Sequence, residues 1–197
     1  MPSYLSINKR IDSFNKKILV SGDKSLSIRW VLLASQAIGK SKAYNLLMSE
    51  DVIAALEAIK KLGIKVLIKK KYCEILGKGL NNFTYKNGLV IDAKNSGTLG
   101  RLILGLLIKS TKKIKLIGDK SLSKRDFSRV TEPLKKFGAK FHYKVKNKLP
   151  LSIIGSHNSK DIHYVENKGS AQCKSCVMLA ALNSSGTTYI KAKKSRN

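Results

Sequence analysis

Ser21-Gly22-Asp23-Lys24-Ser25 runs directly into Leu26-Ser27-Ile28-Arg29-Trp30-Val31-Leu32-Leu33-Ala34, a stretch apolar on nearly every face, which predicts a buried helix over 26–38. The same design recurs twice. Asn95-Ser96-Gly97-Thr98 opens an apolar helix expected over 99–108, and Gly169-Ser170-Ala171-Gln172 opens another over 172–182. Ser21, Ser96 and Ser170 stand 75 and 74 residues apart, and Lys60-Lys61-Leu62-Gly63 returns as Lys135-Lys136-Phe137-Gly138, again 75 residues on. Such a period means that one supersecondary unit is used three times. A helix start offers free backbone N–H groups and a positive dipole end, so three starts meeting at one place would hold an anion before any side chain is counted. A phosphorylated or carboxylated small molecule is the first ligand to expect.

Around these helices the pattern supplies short strands and amphipathic partners. Strands are expected near 3–8 and 17–20, then 42–46 after the first helix. Met48-Ser49-Glu50-Asp51 leads into a second helix with Ser49 as its N-cap, Val52, Ile53, Leu56, Ile59 and Leu62 as its apolar stripe, and Gly63 at its end. Asp51 reads as a first-turn carboxylate that stabilises this helix. Strands over 64–68, 72–76 and 89–92 close the first unit. The second unit repeats the order with a strand over 114–117, a helix over 127–137 that Pro133 is expected to kink, and strands over 140–145 and 150–154. After its helix the third unit gives a strand over 187–191. In the first unit Gly39 precedes Gly63 by 24 residues; counted from the matching Gly186, the third unit should reach about residue 210. The chain is therefore expected to stop mid-repeat and to expose apolar surface there. The whole reads as an α+β (α/β) fold, a prism of repeated βαβαββ units with helices inside and sheets outside and its third repeat incomplete. Polar groups gather at one end of the interior helices: Ser25, Arg29, Thr98, Arg101, Gln172, Lys174 and Ser175. Burying charge there without a ligand is costly, so the expected occupant is an anion.

The net charge of +27 raises the question of a nucleic-acid partner. Composition argues against it. Only six of the 39 basic residues are arginine, at 10, 29, 101, 125, 129 and 196, while the lysines are spread over every expected element without interleaved aromatics. The excess reads as a solvated surface whose field steers anions inward. Three cysteines, Cys73, Cys173 and Cys176, fit free thiols in a reducing cytoplasm. Cys173 and Cys176 lie i, i+3 on an apolar helix with no second such pair, so they read as core thiols and no metal site is expected. His142, His157 and His163 are isolated and receive no chemistry. The N-terminus carries no secretory pattern and no apolar run spans a bilayer, so secretion and membrane insertion are not expected.

Four segments, taken in order, resemble one family. Ser21-Gly22-Asp23-Lys24-Ser25-Leu26-Ser27-Ile28-Arg29 is similar to the opening Pro-Gly-Asp-Lys-Ser-x-Ser-x-Arg of the 5-enolpyruvylshikimate-3-phosphate synthases, with Ser21 in place of the proline. Asn95-Ser96-Gly97-Thr98-Leu99-Gly100-Arg101 resembles their Asn-Ala-Gly-Thr-x-x-Arg loop. Gly118-Asp119-Lys120-Ser121-Leu122-Ser123-Lys124-Arg125 resembles Gly-Asp-x-Ser-Leu-x-x-Arg, and Ser170-Ala171-Gln172-x-Lys174-Ser175 the Ser-Ala-Gln-x-Lys-Ser run of one bacterial branch. The likeness implies an enolpyruvyl transferase-like fold and transfer of the enolpyruvyl group of phosphoenolpyruvate to the 5-hydroxyl of shikimate 3-phosphate, with release of phosphate. It also implies the roles of residues. Lys24, Ser25, Arg29, Ser170, Ala171 and Gln172 would hold shikimate 3-phosphate. Lys24, Asn95, Gly97, Thr98, Arg125 and Gln172 would hold phosphoenolpyruvate, with Lys24 assisting proton transfer. Two polyanions must be brought together, and Lys and Arg offset their repulsion through charge-assisted hydrogen bonds.

The resemblance further implies a two-domain enzyme, cytoplasmic, monomeric at full length and without a cofactor. Residues 1–20 would belong to the other domain. Residues 21–197 would form most of the shikimate 3-phosphate domain, as repeats 21–94, 95–168 and 169–197. The family's acid/base carboxylates belong to the second half of a longer chain, so this chain is expected to bind without turning over. Glyphosate, a phosphoenolpyruvate mimic, is expected in the Gly97 pocket. Asp126 stands where the family has proline, which would alter the Arg125 loop. Two rivals remain: a UDP-sugar enolpyruvyl transferase, whose opening lysine is followed by asparagine rather than Ser25 and whose reactive cysteine has no counterpart between Lys120 and Asp126, and a basic nucleic-acid-binding module.

Overall fold

The computed structural model describes residue 15 and residues 17–193. The strand expected over 3–8 lies outside them. Residues 17–20 form no strand, a correction to the sequence reading: Ile18, Leu19 and Val20 stand exposed, and among the described residues the segment pairs with no strand, Val20 only accepting a side-chain N–H of Asn45 at 3.1 Å.

Helix α1 (Lys24–Gln36) starts two residues earlier than expected because the Asp23 carboxylate caps it, accepting the N–H of Leu26 at 2.7 Å. Ile28, Val31, Leu32 and Ser35 form its buried face. The helix is not buried all round, as Leu26 and Leu33 remain 67% and 48% exposed. Strand β1 (Ile38–Tyr44) follows at once, four residues ahead of its expected start. Helix α2 (Glu50–Lys61) opens after Ser49 and has Glu50 and Asp51 in its first turn and Lys60 and Lys61 in its last, charges that complement its dipole at both ends. The Ser49 hydroxyl makes no capping bond. Gly63 ends the helix at φ +84°, a left-handed turn favourable to glycine. Strands β2 (Lys65–Ile68) and β3 (Tyr72–Lys78) complete an antiparallel sheet of order β1-β3-β2.

Strand β4 (Leu89–Asp92) falls at the end of the first unit by sequence, yet it pairs in parallel with β5 (Ile114–Ile117) of the second. The connection between them is α3 (Gly97–Leu106), a crossover helix. Every residue of α3 except Arg101 is buried. The helix expected over 127–137 is preceded by an unforeseen short one, α4 (Lys120–Lys124), and itself spans α5 (Ser128–Lys136), continuing through the buried Pro133. Strands β6 (Lys140–Tyr143) and β7 (Leu151–Ile154) add antiparallel neighbours, giving the order β4-β5-β7-β6. The third unit repeats the parallel crossover as β8 (His163–Glu166), α6 (Ala171–Ala181) and β9 (Tyr189–Ala192). Strand β8 had no counterpart in the sequence reading.

The three sheets lie outside a single apolar core centred on α3, which packs against α1, α5 and α6. Gly105 is needed there, because a Cβ would meet the backbone carbonyl of Cys176 on α6. On the far side of α6, Met178 and Leu182 are exposed. Cys73, Cys173 and Cys176 are buried free thiols, and burial pushes the Cys176 thiol far above its ordinary range. Among the described residues no helix is long and apolar enough to cross a membrane, and no group of His, Cys, Asp or Glu is arranged to hold a metal.

Candidate functional site

The amino ends of α1, α3 and α6 meet at two adjoining cavities. Each helix is capped by its own side chain: Asp23 for α1, Ser96 for α3 (from the Leu99 N–H, 3.2 Å) and Ser170 for α6 (from the Cys173 N–H, 3.3 Å). Part of the N–H supply that the sequence reading assigned to a ligand is therefore consumed within the protein. What the helix ends place at the cavities is mainly side chains.

The larger cavity, about 780 Å³, is lined by Ser25 and Arg29 from α1, Arg101 from α3, Arg125, Asp126 and Arg129 from the α4–α5 region, and Lys168 to Lys174 leading into α6. Its charge is concentrated in arginine. Of the chain's six arginines, Arg10 and Arg196 lie outside the described residues, and the other four all line this cavity. Among the described residues none of these four, nor Lys168 or Lys174, forms a salt bridge with a carboxylate. Asp126, the one carboxylate in the lining, gives both oxygens to Ser128, accepting its N–H and its hydroxyl at 2.7 Å each. Those bonds hold the Asp126 carboxyl below its ordinary value. Whatever angle Asp126 gives its loop, Arg125 reaches both cavities.

The smaller cavity, about 380 Å³, is lined by Lys24, Ser25, Asp51, Asn95, Gly97, Thr98, Arg125 and Gln172. Here the cation is balanced, with Lys24 Nζ 3.0 Å from the Asp51 carboxylate. Asn95 donates to Asp119 at 2.6 Å and so ties the loop before α3 to the cap of α4. At Gly97 a Cβ would lie 2.9 Å from Arg101 Nη1 and 3.0 Å from Arg125 Nη1, so a side chain there would push both guanidinium tips aside.

A chain of hydrogen bonds joins the three helices between the cavities. Arg101 donates to the Gln172 carbonyl oxygen at 2.9 Å, and Gln172 Nε2 donates to Thr98 Oγ1 at 3.1 Å. Arg29 donates to Ser175 Oγ at 3.2 Å, which ties α1 to α6. Arg101 also lies over the Phe127 ring, 5.4 Å from its centroid. Burial, joined by the positive charges of Arg125 and Arg129, lowers the Arg101 pKa, as expected where cations are crowded without a counter-ion.

Every residue assigned from the sequence lies on this pair of cavities. Asn95, Gly97 and Thr98 line the smaller, as does Lys24, which the resemblance gives to both ligands but which does not line the larger; Arg29, Ser170 and Ala171 line the larger, and Ser25, Arg125 and Gln172 both. Asp51, read only as a helix-end charge, also pairs with Lys24. Arg129 and Lys168 were not singled out beforehand. Arg129 lies in the first turn of α5, which Phe127 opens without a side-chain cap, and Lys168 stands just ahead of the Gly169–Gln172 helix start.

Comparison with known proteins bears on the family and the fold. The family model for EPSP synthase (3-phosphoshikimate 1-carboxyvinyltransferase) matches residues 9–196. This chain belongs to the EPSP synthase family. A 3-phosphoshikimate 1-carboxyvinyltransferase of Streptococcus pyogenes serotype M4 (strain MGAS10750) is 39% identical over 177 residues, and one from serotype M49 (strain NZ131) is 38% identical over the same length. Each match covers 89% of this chain and 41% of the relative. A solved EPSP synthase from Acinetobacter baumannii superposes with a TM-score of 0.86 at 32% identity, covering 92% of this chain and 41% of that one. The EPSP synthase fold is thus shared over nearly all of this chain, which spans about two fifths of the relatives' length.

Proposed function

We propose that this chain forms the shikimate 3-phosphate-binding part of an enolpyruvyl transferase, which moves the enolpyruvyl group of phosphoenolpyruvate to the 5-hydroxyl of shikimate 3-phosphate and releases phosphate. The observation that carries the reading is the arginine distribution: all four described arginines line one cavity with no carboxylate partner among the described residues, while the lysines are spread along the chain. Such a cavity favours a small ligand carrying several negative charges. Shikimate 3-phosphate, with a phosphoryl group and a carboxylate, fits the larger cavity, held by Ser25, Arg29, Ser170, Ala171 and Gln172 at its edges. Phosphoenolpyruvate, or glyphosate in its place, fits the smaller one, between Lys24, Asn95, Gly97, Thr98, Arg125 and Gln172. The shared residues Ser25, Arg125 and Gln172 bring the two ligands edge to edge, which transfer between them requires.

Holding substrates is distinct from turning them over. The transfer must take a proton from the 5-hydroxyl, and the two carboxylates lining the cavities are engaged, Asp51 by Lys24 and Asp126 by Ser128. In this reading the chain alone binds without catalysis, residues 21–197 make up most of one domain, and residues 1–20 go with a second. The complete enzyme is then a cytoplasmic monomer that needs no cofactor. Calorimetric titration with shikimate 3-phosphate tests the reading. One-to-one binding that persists while added salt abolishes any retention on duplex DNA is the expected result. Failure to bind shikimate 3-phosphate, alongside salt-sensitive binding to DNA, would favour a nucleic-acid module instead. Phosphate released from the substrates by this chain alone would refute the division between binding and turnover.

A further inference from the structure

At the end of β8, Glu166 is a buried carboxylate, 3% exposed, that the reading above does not use. It forms no salt bridge with any cation among the described residues. Its oxygens are spent on backbone instead. Oε1 accepts the N–H of Lys168 at 3.0 Å and Oε2 the N–H of Ser170 at 2.9 Å. Between them Gly169 turns the chain at φ +65°, and Ser170 then caps α6. Burial disfavours the charged carboxyl, but the N–H groups of Ser170, Lys168 and Gly169, helped by the field of Lys174, outweigh it and keep the pKa below the ordinary glutamate value. The turn held in this way carries Lys168, Gly169 and Ser170, all of which line the larger cavity.

A buried carboxylate that lines a small pocket with Arg129 and Lys168 would ordinarily pair with one of them. Here its hydrogen-bonding capacity is directed at the backbone, and among the described residues neither cation has a carboxylate partner. We propose that Glu166 is a positioning residue for the larger cavity: by clamping the N–H groups of Lys168 and Ser170 it fixes the 167–170 turn against the phosphoryl group of the bound shikimate 3-phosphate, with Lys168 as an added phosphate-facing cation. This rests on the ligand assignment under Proposed function.

The test compares shikimate 3-phosphate with shikimate, which lacks the phosphoryl group, in calorimetric titrations of the unaltered chain, Glu166→Gln and Lys168→Ala. Glutamine keeps the shape of the side chain but presents an N–H₂ group to one of the two donors. It should lower shikimate 3-phosphate affinity about tenfold while changing shikimate affinity less than about threefold. Lys168 is exposed, so its removal leaves folding intact, and it should give a smaller loss with the same selectivity for the phosphorylated ligand. Equal losses for both ligands would show a general structural role and overturn the proposal. Unchanged shikimate 3-phosphate affinity in a folded Glu166→Gln chain would do the same. Should Glu166→Gln fail to fold, Lys168→Ala decides: an unchanged affinity for shikimate 3-phosphate places the turn away from the phosphoryl group. If the unaltered chain itself binds no shikimate 3-phosphate, the ligand assignment fails and this inference with it, whereas binding by the unaltered chain with no selective loss in either variant removes this inference alone.

Discussion

The two cavities differ more in how their charges are balanced than in which residues supply them. In the larger, Arg29, Arg101, Arg125 and Arg129 have no carboxylate partner among the described residues, and the one acid in the lining, Asp126, is occupied by Ser128. In the smaller, Lys24 is already paired with Asp51. An unpaired cluster stores electrostatic repulsion that an anion relieves, so it favours a highly charged ligand. A cation held by a carboxylate gains less from a new partner, because it must give up or share the old one. The contrast teaches that the larger cavity should fill first and more tightly, and that the smaller becomes attractive once Arg125 is shared by both occupants.

Arg125 offers the largest effect with which to break that contrast. Arg125→Ala should weaken shikimate 3-phosphate and phosphoenolpyruvate together, each by about a hundredfold, whereas Arg29→Ala should weaken only the former, as read by calorimetry. A selective effect of Arg125→Ala would mean that the cavities do not share it. Next in size is Gly97→Ala. Its methyl group must displace the guanidinium tips of Arg101 and Arg125, so phosphoenolpyruvate binding should fall about tenfold while the melting temperature moves little, because flexible side-chain ends can give way. Asp51→Asn should act in the opposite direction. Freed from its partner, Lys24 should bind phosphoenolpyruvate a few-fold more tightly, roughly the value of a partly exposed ion pair, with no change for shikimate 3-phosphate.

The smallest expected effect is on acid stability. Glu166 has a folded-state pKa below its unfolded one, so its stabilisation is complete above the ordinary glutamate range and is lost as pH falls through the folded value. Urea midpoints measured from pH 7 to pH 3 should therefore fall more steeply for the unaltered chain than for Glu166→Gln. Parallel curves would show that the carboxylate contributes nothing specific.

Much of this site was legible in the sequence because its central residues sit next to helix starts that a local pattern reveals. Lys24, Ser25 and Arg29 follow Asp23, Thr98 and Arg101 follow Ser96, and Gln172 and Lys174 follow Ser170, so the three helices carry their cations and polar groups to wherever they converge. Arg129 and Lys168 were missed for different reasons: Arg129 reaches the cavity through the packing of α5 against α3 and α6, whereas Lys168 sits in a local turn that Glu166, two residues before it, closes. The fold divided in the same way. Buried α3 was plain from its apolar run, but the exposed sides of α1 and α6 were not, since residues such as Leu26 and Met178 look like core until the neighbours that leave them uncovered are known. Strand pairing lay beyond the local reading: β4 closes the first unit in sequence but pairs in the second sheet, and among the described residues 17–20 join no sheet.

The most direct measurement of the central claim is a titration of ¹⁵N-labelled chain with shikimate 3-phosphate, followed by backbone and arginine side-chain resonances. The account predicts that the largest shifts fall on Ser25, Arg29, Arg101, Arg125, Ser170 and Gln172, saturating together at one equivalent. Shifts confined to the lysine-bearing outer faces of the sheets, or none at all, would contradict it.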